Sequence, residues 1–268
     1  MSEIDKLPKP TSLSESTGGP LSSPLPSLYD LFNAPALKHP SRTALICMHQ
    51  PVSFLSSHTT SNSNSTSNPT TPPSSPPPYL HWTFTHLSTA SHTLSQSLLS
   101  SGILPGNRIA AFVHNSAEWH ILLRAALELH CIFAPLNPET TNNAAEIRHV
   151  MEMLYPSVVL VQDRDVARKL EEYAGKSMGS VVVKLFSPFE AQETLEGWEE
   201  LGGFMERGKS TGISDDVIEN LDIVRKDEDV VMVVMTSGTT SLPKGCPHTN
   251  RSELCKSSAG DERDAWFE

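Results

Sequence analysis

The chain has 268 residues, 38% of them apolar, with 20 Lys plus Arg against 31 Asp plus Glu, a net charge of −11, 21 prolines and four cysteines. Residues 1–137 carry six acidic and six basic side chains, so the whole excess of negative charge falls in the second half. An acidic chain with no basic stripe is a poor match for nucleic acid or an anionic membrane, whose phosphates are held by clustered Lys and Arg, and no apolar run approaches the ~20 residues of a membrane span.

The expected partners therefore include no nucleic acid and no membrane span. Residues 1–8 lack the apolar core of a secretory signal, and Cys47, Cys131, Cys246 and Cys255 form no C-x-x-C pair, so a cytoplasmic protein with reduced thiols is expected. Residues 1–27 are rich in Ser, Pro, Thr and Leu with no structural period and are expected to be a disordered arm. Order is expected to begin near Leu28-Tyr29-Asp30-Leu31-Phe32.

Strands are expected at 43–47 and 79–84. Between them residues 56–78 are 23 consecutive Ser, Thr, Asn, Pro or His residues. Without charge or apolar surface such a tract cannot offset its ordering entropy, so it is expected to loop out as a disordered insertion, since closing a longer loop costs little. Its alternative use is as a Pro-rich ligand for a partner domain.

A regular pattern follows. Leu87, Ala90, Leu94, Leu98 and Leu99 recur at helical spacing and stop at Gly102. Residues 108–113 read as a strand, and Asn115 or Ser116 caps a helix through Trp119, Leu122, Leu123, Ala126 and Leu127. Residues 131–136 are the next strand. Asn143 and Glu146 have capping-box spacing ahead of Ile147, Val150, Met151 and Leu154. A buried strand at 157–161, a helix begun by Asp165 and a strand at 181–185 complete the alternation. Residues 190–229 are acidic, with Trp198 as their single large anchor, and are expected on the surface. Alternating helices and β-branched strands imply an α/β fold, a mostly parallel sheet with flanking helices.

The strand expected at 230–235 runs into Thr236-Ser237-Gly238-Thr239-Thr240-Ser241-Leu242-Pro243-Lys244-Gly245. Hydroxyls on Thr236, Ser237, Thr239 and Thr240, amides freed by Gly238 and the amine of Lys244 supply what a polyphosphate needs: donors around its oxygens and a counter-charge. The P-loop of kinases and GTPases is excluded, because it needs glycine at Pro243 and Ser or Thr at Gly245. On composition alone, a Ser/Thr-rich turn is the competing reading.

This segment closely resembles the phosphate-binding signature of the adenylate-forming (AMP-dependent synthetase/ligase) superfamily: acyl-CoA synthetases, luciferases and the adenylation domains of nonribosomal peptide synthetases. Trp82-Thr83-Phe84-Thr85-His86-Leu87 is similar to the family's T-Y-x-E-L motif, and Gly106-Asn107-Arg108-Ile109-Ala110 followed by Asn115-Ser116-Ala117-Glu118 to its G-D-R-V and N-S-x-E motifs. Ala134-Pro135-Leu136-Asn137-Pro138 resembles P-L-N-P, and Lys226-Asp227-Glu228-Asp229-Val230 the acidic lead-in to the loop.

The resemblance spans residues 28–250 and implies a partial adenylation domain, the incomplete N-terminal domain of an adenylate-forming enzyme. It also implies the chemistry: a carboxylate attacks the α-phosphate of Mg-ATP, pyrophosphate leaves, and the acyl group passes to the thiol of CoA or a carrier protein. By the same resemblance ATP and Mg are the cofactors and a carboxylic acid the substrate. Thr236, Ser237, Gly238, Thr239, Thr240 and Lys244 would hold the β- and γ-phosphates.

Two positions depart from the pattern: Ser241 replaces a glycine, and Asn250 stands where the family often has histidine. The family's later motifs, which supply the remaining catalytic groups, do not follow residue 250, and 251–268 is expected to be a non-matching tail without a helical pattern. The expectation is an N-terminal ligase fragment, inactive alone. The alternatives are a nucleotide-binding or regulatory short form, and a non-enzymatic interaction protein using the Pro/Ser-rich insert. The histidines, among them His81, His86, His92, His114, His120, His130 and His149, show no metal-ligand spacing, so no metal ligand and no catalytic residue is assigned.

Overall fold

The computed structural model describes residues 27–59, 79–187, 195–210, 212–213, 217–218, 221, 226–236 and 242–258. The arm up to residue 26, residues 60–78 of the tract and the tail from 259 onward lie outside these.

Two strands, β1 (Thr43–Cys47) and β2 (Leu80–Thr83), pair antiparallel as a separate ribbon. The main sheet is built from β3 (Arg108–Phe112), β4 (Ile132–Leu136), β5 (Val158–Val161), β6 (Val183–Phe186), β7 (Glu199–Glu200), β8 (Val230–Thr236) and β9 (Lys244–Thr249), in the order β7-β6-β5-β3-β4-β8-β9. The first six pair in parallel, and β9 alone returns antiparallel along β8. The helices are α1 (Leu28–Lys38), α2 (Phe84–Ser100), α3 (Ala117–Glu128), α4 (Ala144–Leu154), α5 (Arg164–Ala174), α6 (Leu201–Lys209) and α7 (Asn250–Ser258). The mostly parallel sheet with flanking helices is thus present. Among the described residues no helix is long and apolar enough to cross a membrane.

Helices cover both faces of the sheet, which is why β4 and β5 are apolar at every position and β3 from Ile109 onward. Along β3, Ile109 and Ala111 join a core with Leu94 and Leu98 of α2, Ile121 and Leu122 of α3 and Phe204 of α6. Ala110 and Phe112 face the opposite core, with Ile147, Val150 and Met151 of α4 and Leu170 of α5. This is the alternation a strand imposes. Each fully buried Leu, Ile or Phe contributes about 1.5–3 kcal/mol, so these two layers supply most of the favourable free energy.

The motifs singled out in the sequence have clear local jobs. Thr83 caps α2 by accepting from the His86 amide, while His86 Nδ1 accepts from the Thr83 amide, so histidine closes the capping box where Glu is usual. Arg108 donates through Nε to the Leu154 carbonyl and through Nη2 to Tyr155 O at 3.1 Å, holding the last carbonyls of α4. Asn137 caps the 3-10 turn Pro138–Asn142.

Several expectations need correction. Asp163, rather than Asp165, caps α5, accepting from Val166 N at 2.9 Å. Ser116 occupies the N-cap position of α3 without capping it; Gln50 Oε1 takes the Ala117 amide instead, at 2.8 Å. Within the stretch expected to be surface, α6 buries Leu201, Phe204 and Met205 against α2. Its Gly202, Gly203 and Gly208 depress helix propensity and hide it from pattern reading. Gly208 is needed for the close crossing: a Cβ there would sit 1.8 Å from Ser97 Oγ and 2.6 Å from Ser97 Cα.

The uncharged tract was expected to leave the fold at Ser56, yet Ser56–His58 is a 3-10 turn and both His58 and Thr59 are buried. The segment after residue 250, which lacks an amphipathic helical pattern in the sequence, nonetheless begins with α7. That helix has almost no apolar face, with Leu254 as its buried anchor.

Candidate functional site

The hydroxyl-rich segment leaves the sheet at the C-terminal end of β8. In open α/β sheets this is the edge where ligands lie, because helix N-termini and freed backbone amides gather there. Strand β9 then turns back along β8, with Thr236 opposite Lys244 as the last pair of the register. The segment is therefore the connection of a hairpin. Thr236 Oγ1 donates to the Lys244 carbonyl at 3.3 Å across its mouth.

Of the six residues expected to bind phosphate, the structure brings Thr236 and Lys244 together, both exposed. Ser237, Gly238, Thr239 and Thr240 lie outside the described residues, as does Ser241. At the far side of the connection Leu242 is 45% exposed while Pro243 is buried. The Pro243 carbonyl accepts from His149 Nε2 of α4 at 3.0 Å. Gly245 lies against the same helix: a Cβ there would come within 3.0 Å of Val233 Cγ1 and 3.3 Å of Met153 Sδ. Lys244 is thus flanked by two residues that α4 touches.

The acidic lead-in sits at the other end of the hairpin, beside the Val230 and Thr249 pair. Six residues of strand separate it from the mouth by roughly 20 Å, beyond the Debye length of ~8 Å. Its contacts are local, and Glu228 lies 3.6 Å from Arg251 Nη1. Asp229 Oδ2 accepts from the Lys226 amide at 2.7 Å, and the carbonyls of Asp229 and Asp227 accept from the amides of Asn250 and Arg251 at 2.9 Å each. Lys244 therefore holds its positive charge at the mouth without these acids close by.

Two buried polar sets lie away from the hairpin. Glu118 accepts from Gln50 Nε2 and from Ser187 Oγ, each at 2.6 Å, tying the exit of β1 and the end of β6 to the start of α3. Glu128 accepts from Tyr29 at 2.9 Å, His92 at 2.8 Å and Ser95 at 2.5 Å. Burial alone would push the Glu128 carboxyl up, but the hydrogen bonds of His92, Ser95 and Tyr29 outweigh it and hold the group below its ordinary range. Burial, and then the charge of Glu128, push the Tyr29 phenol well above its ordinary value. These sets fasten helices and do not converge on the hairpin mouth. Among the described residues no group of three or more His, Cys, Asp or Glu would hold a metal ion.

His149 is the residue that sequence reasoning missed. It was one of several scattered imidazoles, and its contact lies 94 residues away in the chain. No local pattern carries that information.

The family model described as AMP-binding enzyme matches residues 35–266, past the residue 250 at which the motif resemblance stopped. Acyl-CoA ligase GME11374 of Pestalotiopsis microspora is 22% identical over 236 residues, 87% of this chain and 40% of that protein. Long-chain-fatty-acid–CoA ligase FadD13 of Mycobacterium tuberculosis is 24% identical over 170 residues, 63% of this chain and 30% of that protein. The chain thus spans less than half the length of these relatives. Among solved structures, the anthranilate CoA ligase AuaEII in complex with anthranoyl-AMP shares the fold at a TM-score of 0.60 and 17% identity, over 85% of this chain and 36% of that one. The N-terminal domain of FACL13 from Mycobacterium tuberculosis does so at 0.56 and 19%, over 84% and 45%.

Proposed function

We propose that this chain, which belongs to the AMP-binding enzyme family, grips the β- and γ-phosphates of ATP in the connection between β8 and β9. In this reading it is the N-terminal part of a ligase that activates a carboxylate as an acyl-adenylate and passes it to the thiol of CoA or a carrier protein. The observation that carries the reading is the hairpin mouth, where exposed Thr236 and exposed Lys244 stand opposite each other in the register at the two ends of a hydroxyl-rich segment.

The donor set suits a polyphosphate. Thr236, Ser237, Thr239 and Thr240 would donate to phosphate oxygens, Gly238 would let the backbone approach, and Lys244 would neutralise charge. A carboxylate oxygen would bond to the α-phosphorus while the bond from that phosphorus to the pyrophosphate oxygen breaks. Developing charge on the leaving pyrophosphate is what the loop would stabilise, so its contribution is positioning and electrostatics. No carboxylate cluster among the described residues fits Mg, which in this reading arrives on the nucleotide. The relatives' printed substrates, long-chain fatty acids and anthranilate, share a carboxylate, which is as far as the substrate class extends here.

Calorimetric titration of the purified chain with Mg-ATP tests this. Losing a charge-assisted contact of about 1.5–3 kcal/mol predicts that Lys244→Ala weakens ATP binding by about 10- to 100-fold, with a smaller loss for Thr239→Ala. Unchanged affinity in both variants would sink the assignment. Carboxylate-dependent exchange of pyrophosphate into ATP then separates a catalytic chain from one that binds nucleotide without turnover.

A further inference from the structure

We infer that His149 is a positioning residue for the phosphate loop: through Pro243 it fixes the peptide plane from which Lys244 is presented. The inference rests on the reading of that loop as a polyphosphate grip. Its basis is the 3.0 Å contact between His149 Nε2 and the Pro243 carbonyl. A carbonyl oxygen only accepts, so Nε2 must carry the proton. The Pro243 carbonyl and the Lys244 amide belong to one rigid peptide unit, so orienting the first orients the second. Pro243 has no N–H and its φ is already restricted, which leaves its carbonyl as the handle by which this end of the loop can be held.

The support behind His149 is rigid. Helix α4 is capped by Asn143, which accepts from the amides of Ala145 and Glu146, and its last carbonyls are held by Arg108. Its Ile147, Val150, Met151 and Leu154 are buried. One turn beyond His149 on the same helix, Met153 packs where Gly245 passes. Contacts from one helix therefore bracket Lys244 on both sides. Holding the backbone that presents Lys244 in place before the ligand arrives removes part of the ordering cost that binding would otherwise carry.

The test uses the whole chain and three probes, Mg-ATP, inorganic tripolyphosphate and AMP, titrated into wild type, His149→Leu and His149→Gln, with melting temperatures of all three proteins. A net loss of one neutral hydrogen bond predicts that His149→Leu weakens ATP and tripolyphosphate binding by about 3- to 10-fold. AMP, which lacks the β- and γ-phosphates, is expected to bind both variants as it binds wild type. His149→Gln keeps a donor near the same place and is expected to restore most of the loss. Equal weakening for AMP, a melting temperature that falls in step with the affinity, or no rescue by glutamine would overturn the positioning role. Wild type that fails to bind either triphosphate probe would overturn the loop reading itself, and this inference with it.

Discussion

Asn250, one of the two positions that depart from the resembled pattern, has its side chain committed to the scaffold. Its Oδ1 accepts from the Leu28 amide at 2.9 Å, in a buried setting, and so joins the start of α1 to the start of α7. His58 is a second residue whose environment departs from its composition. It sits in an uncharged polar tract yet is 2% exposed, with Nε2 at 3.6 Å from Glu206. Burial lowers its pKa from the usual 6.5, the charge of Lys209 adds to this, and Glu206 opposes it. The folded protein then resists a proton that the unfolded chain accepts below pH 6.5, so stability falls as pH drops through that range. His86 and His120 shift in the same direction, so the difference between proteins isolates the residue. Urea denaturation at pH 7.5 and 5.5 is expected to show a shallower loss on acidification for His58→Gln than for wild type. Parallel losses would show that His58 titrates alike in both states.

At the scale of elements, α1 depends on polar contacts more than on apolar ones. Leu28 is its buried apolar residue, while Leu31 and Phe32 are each 38% exposed and Leu37 is 80% exposed. What fastens it is Tyr29 on Glu128, together with Arg124, which donates to Phe32 O at 2.7 Å and to Asn33 Oδ1 at 3.2 Å. Glu128→Ala would leave the donors of Tyr29, His92 and Ser95 without their common acceptor in a largely buried setting, a change that costs about 1–3 kcal/mol. Chemical denaturation is expected to show a loss of that size, and amide exchange to show α1 opening first. A cost below about 1 kcal/mol would mean that water or other acceptors take over the three donors. The same contrast explains what could be read from sequence. The cap at Asn143 was legible because its partners lie within three residues, and Thr83, read as the end of a strand, has its capping partner equally near. The docking of α1, the α2 and α6 crossing at Ser97 and Gly208, and the His149 clamp were not, because each joins residues far apart in the chain and rests on contact geometry. The hairpin that frames the hydroxyl-rich segment was not legible either, because Gly245 and Pro247 interrupt the strand pattern of Lys244–Thr249.

For the molecule as a whole, the sheet's order leaves β9 with one strand neighbour among the described residues, β8. An edge of this kind presents unpaired backbone groups to any other chain and is a template for association. Charge and proline are the usual protections, and β9 carries both, Lys244 at its start and exposed Pro247 in its middle, opposite Val233. Proline lacks the N–H that a new strand would bind and has poor strand propensity, so at this position it limits pairing on the outer side. Pro247→Val restores a donor and adds a β-branched side chain to the edge. The expected outcome is faster, concentration-dependent aggregation, seen by light scattering at a fixed temperature below melting, with a monomer melting temperature equal to or above that of wild type. The pairing of these two readouts is what discriminates. Aggregation that rises only with a fall in melting temperature would come from unfolded chain, and the folded edge would then not be its template. Aggregation at the wild-type rate with melting unchanged would show that the edge is already shielded by something other than its proline.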